Sequence, residues 1–127
     1  MIAVDTSALM AVILGEPEAI ACMAVLKSEP RLLISAGTVA EAMIVAGRRN
    51  AGIAMRSLID GLGFDIITVT ASTARRMADA YARWGKGVHP AGLNFGDCFA
   101  YAVAQEHGCT LLFVGRDFAQ TDIVSAL

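Results

Sequence analysis

Four acidic residues in this 127-residue chain stand where an acidic side chain has little structural reason to be. Asp5 closes a short apolar run, Ile2-Ala3-Val4, that reads as a strand. Asp117 follows a second apolar run, Leu111 to Val114, by three residues. Either could be an ordinary helix cap or turn former. Glu41 and Asp97 fall inside helical stretches with apolar neighbouring turns. Ile44 and Val45 follow Glu41, and Leu93, Tyr101 and Ala104 surround Asp97. Capping roles compete for both. Thr38-Val39-Ala40-Glu41 fits a capping box, and Asp97 could complement a helix start capped by Asn94. Yet neither residue lies on a charged face, and no lysine or arginine lies within one turn of either. Burying an unpaired carboxylate costs on the order of several kcal/mol, so a compensating charge is expected. A shared divalent cation satisfies the requirement. Oxygen donors with no histidine or thiolate among them select Mg2+ or Mn2+ over zinc. Without the ion such a cluster repels itself and its pKa values rise. With it, acidic clusters of this kind serve phosphodiester cleavage, by activating water and neutralising the scissile phosphate.

The elements that must position these residues alternate between short β-type and longer helical runs. Ile2-Val4 is followed by a helix from about Ala8 to Leu14, and Pro17 suits the start of another to about Ser28. Leu32-Ile34 reads as a second strand. A helical stretch from Thr38 to about Leu62 breaks near Asn50-Ala51-Gly52. Phe64-Val69 is a third strand, with Thr70 and Ser72 as caps for the next helix. There Ala74, Met77, Ala78 and Tyr81 share an apolar face opposite Arg75, Arg76, Asp79 and Arg83. A Gly/Pro-containing loop, Gly85 to Asn94, leads to a largely apolar helix, Phe95 to His107. Leu111-Val114 is a fourth strand, and Ile123-Val124 offers a short edge strand. Strands alternating with helices predict a three-layer α/β/α sandwich on a mainly parallel sheet of four to five strands, in one domain spanning 1–127. In such folds chemistry gathers at the carboxyl ends of the strands, and that edge can receive all four carboxylates.

Composition narrows the class. Hydrophobic residues make up 56% of the chain, above the usual range. The most apolar stretch, Ile2 to Leu14, is interrupted by Asp5-Thr6-Ser7 and too short to span a bilayer. It also lacks the marks of a signal peptide. The excess apolar surface therefore points to a covered protein interface. Three cysteines without C-x-x-C spacing argue against disulfides and structural zinc. The chain is expected in the cytoplasm, away from membranes.

Three segments carry a family resemblance. Met1-Ile2-Ala3-Val4-Asp5-Thr6-Ser7-Ala8-Leu9 resembles the opening motif of PIN domains. Gly85-Lys86-Gly87-Val88-His89-Pro90-Ala91-Gly92-Leu93-Asn94-Phe95-Gly96-Asp97-Cys98 resembles the central motif of VapC-type toxins. Leu111 to Ile123, containing Gly115-Arg116-Asp117 and Thr121-Asp122, resembles their C-terminal motif. The middle of the chain, roughly Cys22 to Thr70, matches only in layout. The resemblance implies a Mg2+-dependent endoribonuclease, with Mn2+ as the substitute ion, and Asp5, Glu41, Asp97 and Asp117 as its metal site. Ser7 is expected to support the site or the substrate, and Thr121 and Asp122 to assist from behind it. Arg116 departs from a position often acidic or small and polar in the family. The resemblance further implies a homodimer, inhibition by a VapB-type antitoxin, and an RNA substrate for which transfer RNA is the family expectation.

Net charge speaks against a nucleic-acid binder, being −2 with a pI near 5.6. Bound cations would offset much of the acidity. Arg48, Arg49, Arg56, Arg75, Arg76, Arg83 and Lys86 could steer phosphates, with Lys86 between two glycines the best contact. They could equally be solvated helix faces. Trp84, Phe95 and Tyr101 could stack on bases but fit core or interface roles at their helical spacing. The competing functional reading is a catalytically inactive PIN-like module acting through protein contacts. Phosphotransfer readings lack their second aspartate, since Ser7 stands where a dehalogenase-type phosphatase needs one. Val69-Thr70 stands where a receiver domain needs its aspartate. No phosphate-binding glycine loop occurs.

Overall fold

Successive apolar residues of the central strands point to opposite faces and so set the layering. The computed structural model describes residues 1–127 and contains β1 (Ile2–Val4), α1 (Thr6–Leu14), α2 (Ala19–Ser28), β2 (Leu32–Ser35), α3 (Ala36–Arg48), α4 (Gly52–Leu62), β3 (Asp65–Ile67), α5 (Ala71–Trp84), α6 (Phe95–His107) and β4 (Thr110–Leu112). Ile2, Val4, Leu32, Ile34 and Leu112 point into one core, which α1 to α4 cover. Ala3, Leu33, Leu111 and Phe113 point into the other, which α5 and α6 cover. This is the period of two expected of a sheet buried on both faces. The product is the predicted three-layer sandwich, its sheet wholly parallel in the order β3-β2-β1-β4. In register, Ile2 pairs with Leu32 on one side and Thr110 on the other.

The expected fifth strand shrinks to one parallel bridge, Leu111 with Ser125. It is held by Leu111 N–H donating to Val124 and Ala126 N–H donating to Leu111. β3 is shorter than the Phe64–Val69 run, and Val69 is exposed. Being at the sheet edge, β3 has a partner on one side only. β4 ends at Leu112, so Asp117 stands further beyond the ladder than Leu111–Val114 implied. α2 begins at Ala19, after a turn containing Pro17. The break in the long helical stretch falls where expected, at Asn50, whose φ of 55° ends helical continuity.

Strands feed helices almost without loops. Asp5 is both the residue after β1 and the N-cap of α1. Ser35 ends β2 and caps α3, its Oγ accepting from Gly37 N–H. Thr38 is therefore not the cap, contrary to the capping-box reading, and Glu41 is not held in a capping box. For α5 the box is Thr70 with Thr73, not Ser72. The apolar face of α5 also differs from expectation. Thr73, Met77, Ala80 and Trp84 are buried, whereas Ala74, Ala78 and Tyr81 are exposed. No single helix is long and apolar enough to cross a membrane.

Candidate active site

Asp5 is buried at the carboxyl end of β1. Its Oδ2 accepts from Ser7 N–H at 3.0 Å and from Ser7 Oγ at 2.6 Å. Ser7 Oγ in turn accepts from Val114 N–H at 3.0 Å, tying the first strand–helix junction to the chain leaving β4. Asp5 Oδ1 has no hydrogen-bond partner although it is buried. Burial drives the Asp5 carboxyl up to about 6 against the opposing Ser7 hydrogen bonds, and the charge of Glu41 adds to the rise.

Asp97 is the third residue of α6, in a reciprocal capping box with Asn94. Its N–H donates to Asn94 Oδ1 at 2.8 Å, and its Oδ2 accepts from Asn94 N–H at 3.0 Å. The structural role weighed for Asp97 is therefore real, but it uses one carboxylate oxygen. Burial drives this carboxyl up to about 7, opposed by the Asn94 hydrogen bond and assisted by the charges of Asp5, Asp117 and Glu41. The charges of three carboxylates from separate elements thus all reach Asp97.

Glu41, one turn inside α3, accepts from Thr6 Oγ at 2.6 Å. Asp117 is exposed in the turn after β4, and its charge reaches Asp97. Thr121 and Asp122 touch none of these groups. Thr121 Oγ donates to Phe118 O at 2.7 Å and accepts from Ile123 N–H, fixing the turn that follows Asp117. Asp122 accepts from Tyr101 Oη at 2.7 Å and pairs with Arg83 at 3.6 Å. Lys86 is exposed and borders an apolar cleft of about 710 Å3 with Tyr81, Phe95 and Phe99, which none of the four carboxylates lines. Arg75, Arg76 and Arg83 line a separate polar cleft of about 430 Å3. Of the three aromatics considered for stacking, Trp84 and Tyr101 are buried and joined by a 3.1 Å hydrogen bond. Phe95 alone is open, at 72% exposure.

The donor set suits a hard divalent cation. All its groups are carboxylates, one buried oxygen lacks a partner, and the group repels itself in the cation's absence. No three ligating side chains close into a coordination shell by themselves.

The PIN-domain family matches residues 2–124. Ribonuclease VapC36 of Mycobacterium tuberculosis is 43% identical over 124 residues, covering 94% of this chain and 89% of the relative. The chain belongs to the VapC branch of the PIN-domain family. Among solved structures, VapC20 of M. tuberculosis, described as a sarcin–ricin-loop-cleaving toxin, superposes with a TM-score of 0.81. It is 20% identical, and the match covers 99% of this chain and 98% of that one. A toxin–antitoxin complex from Klebsiella pneumoniae gives a TM-score of 0.74 at 24% identity, covering 98% and 97%. At these identities the two structures speak for the fold.

Two residues of this PIN domain escaped the sequence reading. Thr6 holds Glu41, and its only signal was its place in Asp5-Thr6-Ser7. Gly96 faces Glu41 across the interface of α3 and α6. A glycine in the first turn of a helix was the only hint.

Proposed function

We propose that this PIN domain is a divalent-cation-dependent endoribonuclease and the toxin of a toxin–antitoxin pair. The observation that carries the reading is the buried, mutually repelling carboxylate group around Asp5 and Asp97, in a chain 43% identical to a ribonuclease. Asp5 and Asp97 would hold Mg2+ or Mn2+, with Glu41 and Asp117 completing the acidic set. A cation so held acidifies water and neutralises charge on the scissile phosphate. The chain's own residues prepare for this. Ser7 fixes the rotamer of Asp5 from one side, leaving Oδ1 free. The Asn94 box fixes Asp97 while leaving its second oxygen available. Thr121 and Asp122 steady the turn that carries Asp117. Lys86, whose ammonium makes no ion pair, would be a phosphate contact from the loop that leads into α6.

The partners follow from exposed apolar surface. Ile20 and Ile53 are 86% and 85% exposed, and Phe95 also stands open. Isolated exposed apolar residues are ordinary, but this chain adds an apolar cleft and a high apolar content. A second copy of the chain and a VapB-type antitoxin that blocks the site are the occupants we infer, in the cytoplasm. The test is end-mapping of transfer and ribosomal RNA cut by purified protein, with and without EDTA, beside Asp5→Asn. Loss of cutting in both controls is expected. Cutting that survives Asp5→Asn would leave the chain an inactive PIN-like module with a contaminating nuclease.

A further inference from the structure

The amino-terminal halves of α3 and α6 meet through two reciprocal glycines. A Cβ on Gly37 would collide with the ring of Phe99, with Cγ at 2.6 Å. A Cβ on Gly96 would collide with Glu41 Oε2, with Cδ at 2.7 Å and Oε1 at 3.0 Å. Each helix thus gives up a side chain where the other sends one in. The two contacts differ in kind. Phe99 is a rigid, half-buried ring. Glu41 presents the free end of a flexible chain, and all three of the nearest atoms belong to its carboxylate.

Gly96 does not have the positive φ of Gly15, Gly63 or Gly108, so its backbone is open to any L-residue. Intrinsic helix preference favours alanine over glycine within a helix. The glycine is therefore explained by space and not by backbone. The space is filled by a carboxylate whose other side is fixed by Thr6 Oγ. Glu41 is clamped between that hydroxyl and the first turn of α6, one residue from Asp97.

On the reading of this chain as a metal-dependent nuclease, we propose that Gly96 is a positioning residue for Glu41, its missing side chain admitting the Glu41 carboxylate to the metal site against α6. A methyl group there forces the carboxylate back by roughly an ångström or more, since real Cβ contacts fall near 3.4–4 Å. The fold need not move, because only the end of Glu41 is in the way. Residues that orient metal ligands typically change affinity by about 10–100-fold when altered.

The experiment compares wild type, Gly96→Ala, Glu41→Asp and the double variant as full chains. Mn2+ alone is titrated calorimetrically without RNA, and melting is followed in EDTA. Gly96→Ala is expected to melt at or above the wild-type temperature and to bind Mn2+ about 10–100-fold more weakly. Glu41→Asp is one methylene shorter and makes room for the methyl. The double variant should therefore bind no more weakly than Glu41→Asp alone, a non-additive result expected of residues in contact. Wild-type Mn2+ affinity in Gly96→Ala, or full additivity in the double variant, overturns the proposal. If the wild type itself binds no Mn2+, the nuclease reading fails separately. A crystal structure of Gly96→Ala then decides the positioning claim, which an unmoved Glu41 carboxylate overturns.

Discussion

Asp5→Asn should make the metal-free protein more stable as pH rises relative to wild type, because the native Asp5 carboxylate is buried at a cost. Its pKa moves from the ordinary 3.8 to about 6 on folding. A carboxyl whose folded pKa is raised contributes stability that is fully present below the unfolded value and is lost as pH climbs through the folded one. A rise of that size corresponds to about 3 kcal/mol at neutral pH. For a chain of this length it is a shift in melting temperature on the order of 10 °C. Asparagine keeps an acceptor for the two Ser7 hydrogen bonds but carries no charge at any pH. The stability difference, variant minus wild type, should therefore grow by about 3 kcal/mol between roughly pH 4 and pH 7.5. Losing the Asp5 charge also relieves Asp97, which adds in the same direction. Urea unfolding in EDTA across this range measures the difference. A difference flat with pH, or one that favours wild type as pH rises, would refute the account of Asp5 as a desolvated, unpaired carboxylate.

Adding Mg2+ or Mn2+ at neutral pH should raise the melting temperature of the wild type, by the equivalent of about 2.7 kcal/mol at a hundred times the dissociation constant. The same addition to Asp5→Asn should do far less. Ser7→Ala removes the bridge from Asp5 Oδ2 to Val114 N–H, and chemical unfolding should show a loss of about 1–3 kcal/mol. Gly37→Ala drives a methyl into Phe99. The overpacking should cost about 1–3 kcal/mol in the same assay, in contrast to the tolerant Gly96→Ala. On the proposed reading, in which water and not the neighbouring hydroxyl is the nucleophile, an RNA with a 2′-deoxy residue at the scissile nucleotide should still be cut, as seen by end-labelled products.

The short apolar runs of β1, β2 and β4 are legible in the sequence because strands buried on both faces are apolar nearly throughout. The same logic placed Asp5 at the edge where chemistry gathers. Capping was harder to read. Ser35 and Thr38 both suit a helix start, and only the length of β2 gives the role to Ser35. That choice frees Glu41 from a local capping duty. On α5 two apolar stripes compete. Burial goes to the one carrying Trp84, whose indole N–H finds the Tyr101 hydroxyl, a tertiary contact that no periodicity contains. Asp122 reads as a site residue by motif, yet the structure engages it with Tyr101 and Arg83. The role of Gly96 is invisible in sequence for the same reason, since its partner lies on another helix.

Anomalous diffraction from crystals soaked in Mn2+ tests most directly whether these carboxylates share an ion. The account predicts a peak coordinated by Asp5 Oδ1 and Asp97, with Glu41 or Asp117 alongside, and its disappearance in Asp5→Asn crystals. Ordered crystals with no peak at the carboxyl end of β1, or a peak that persists in Asp5→Asn, would contradict it.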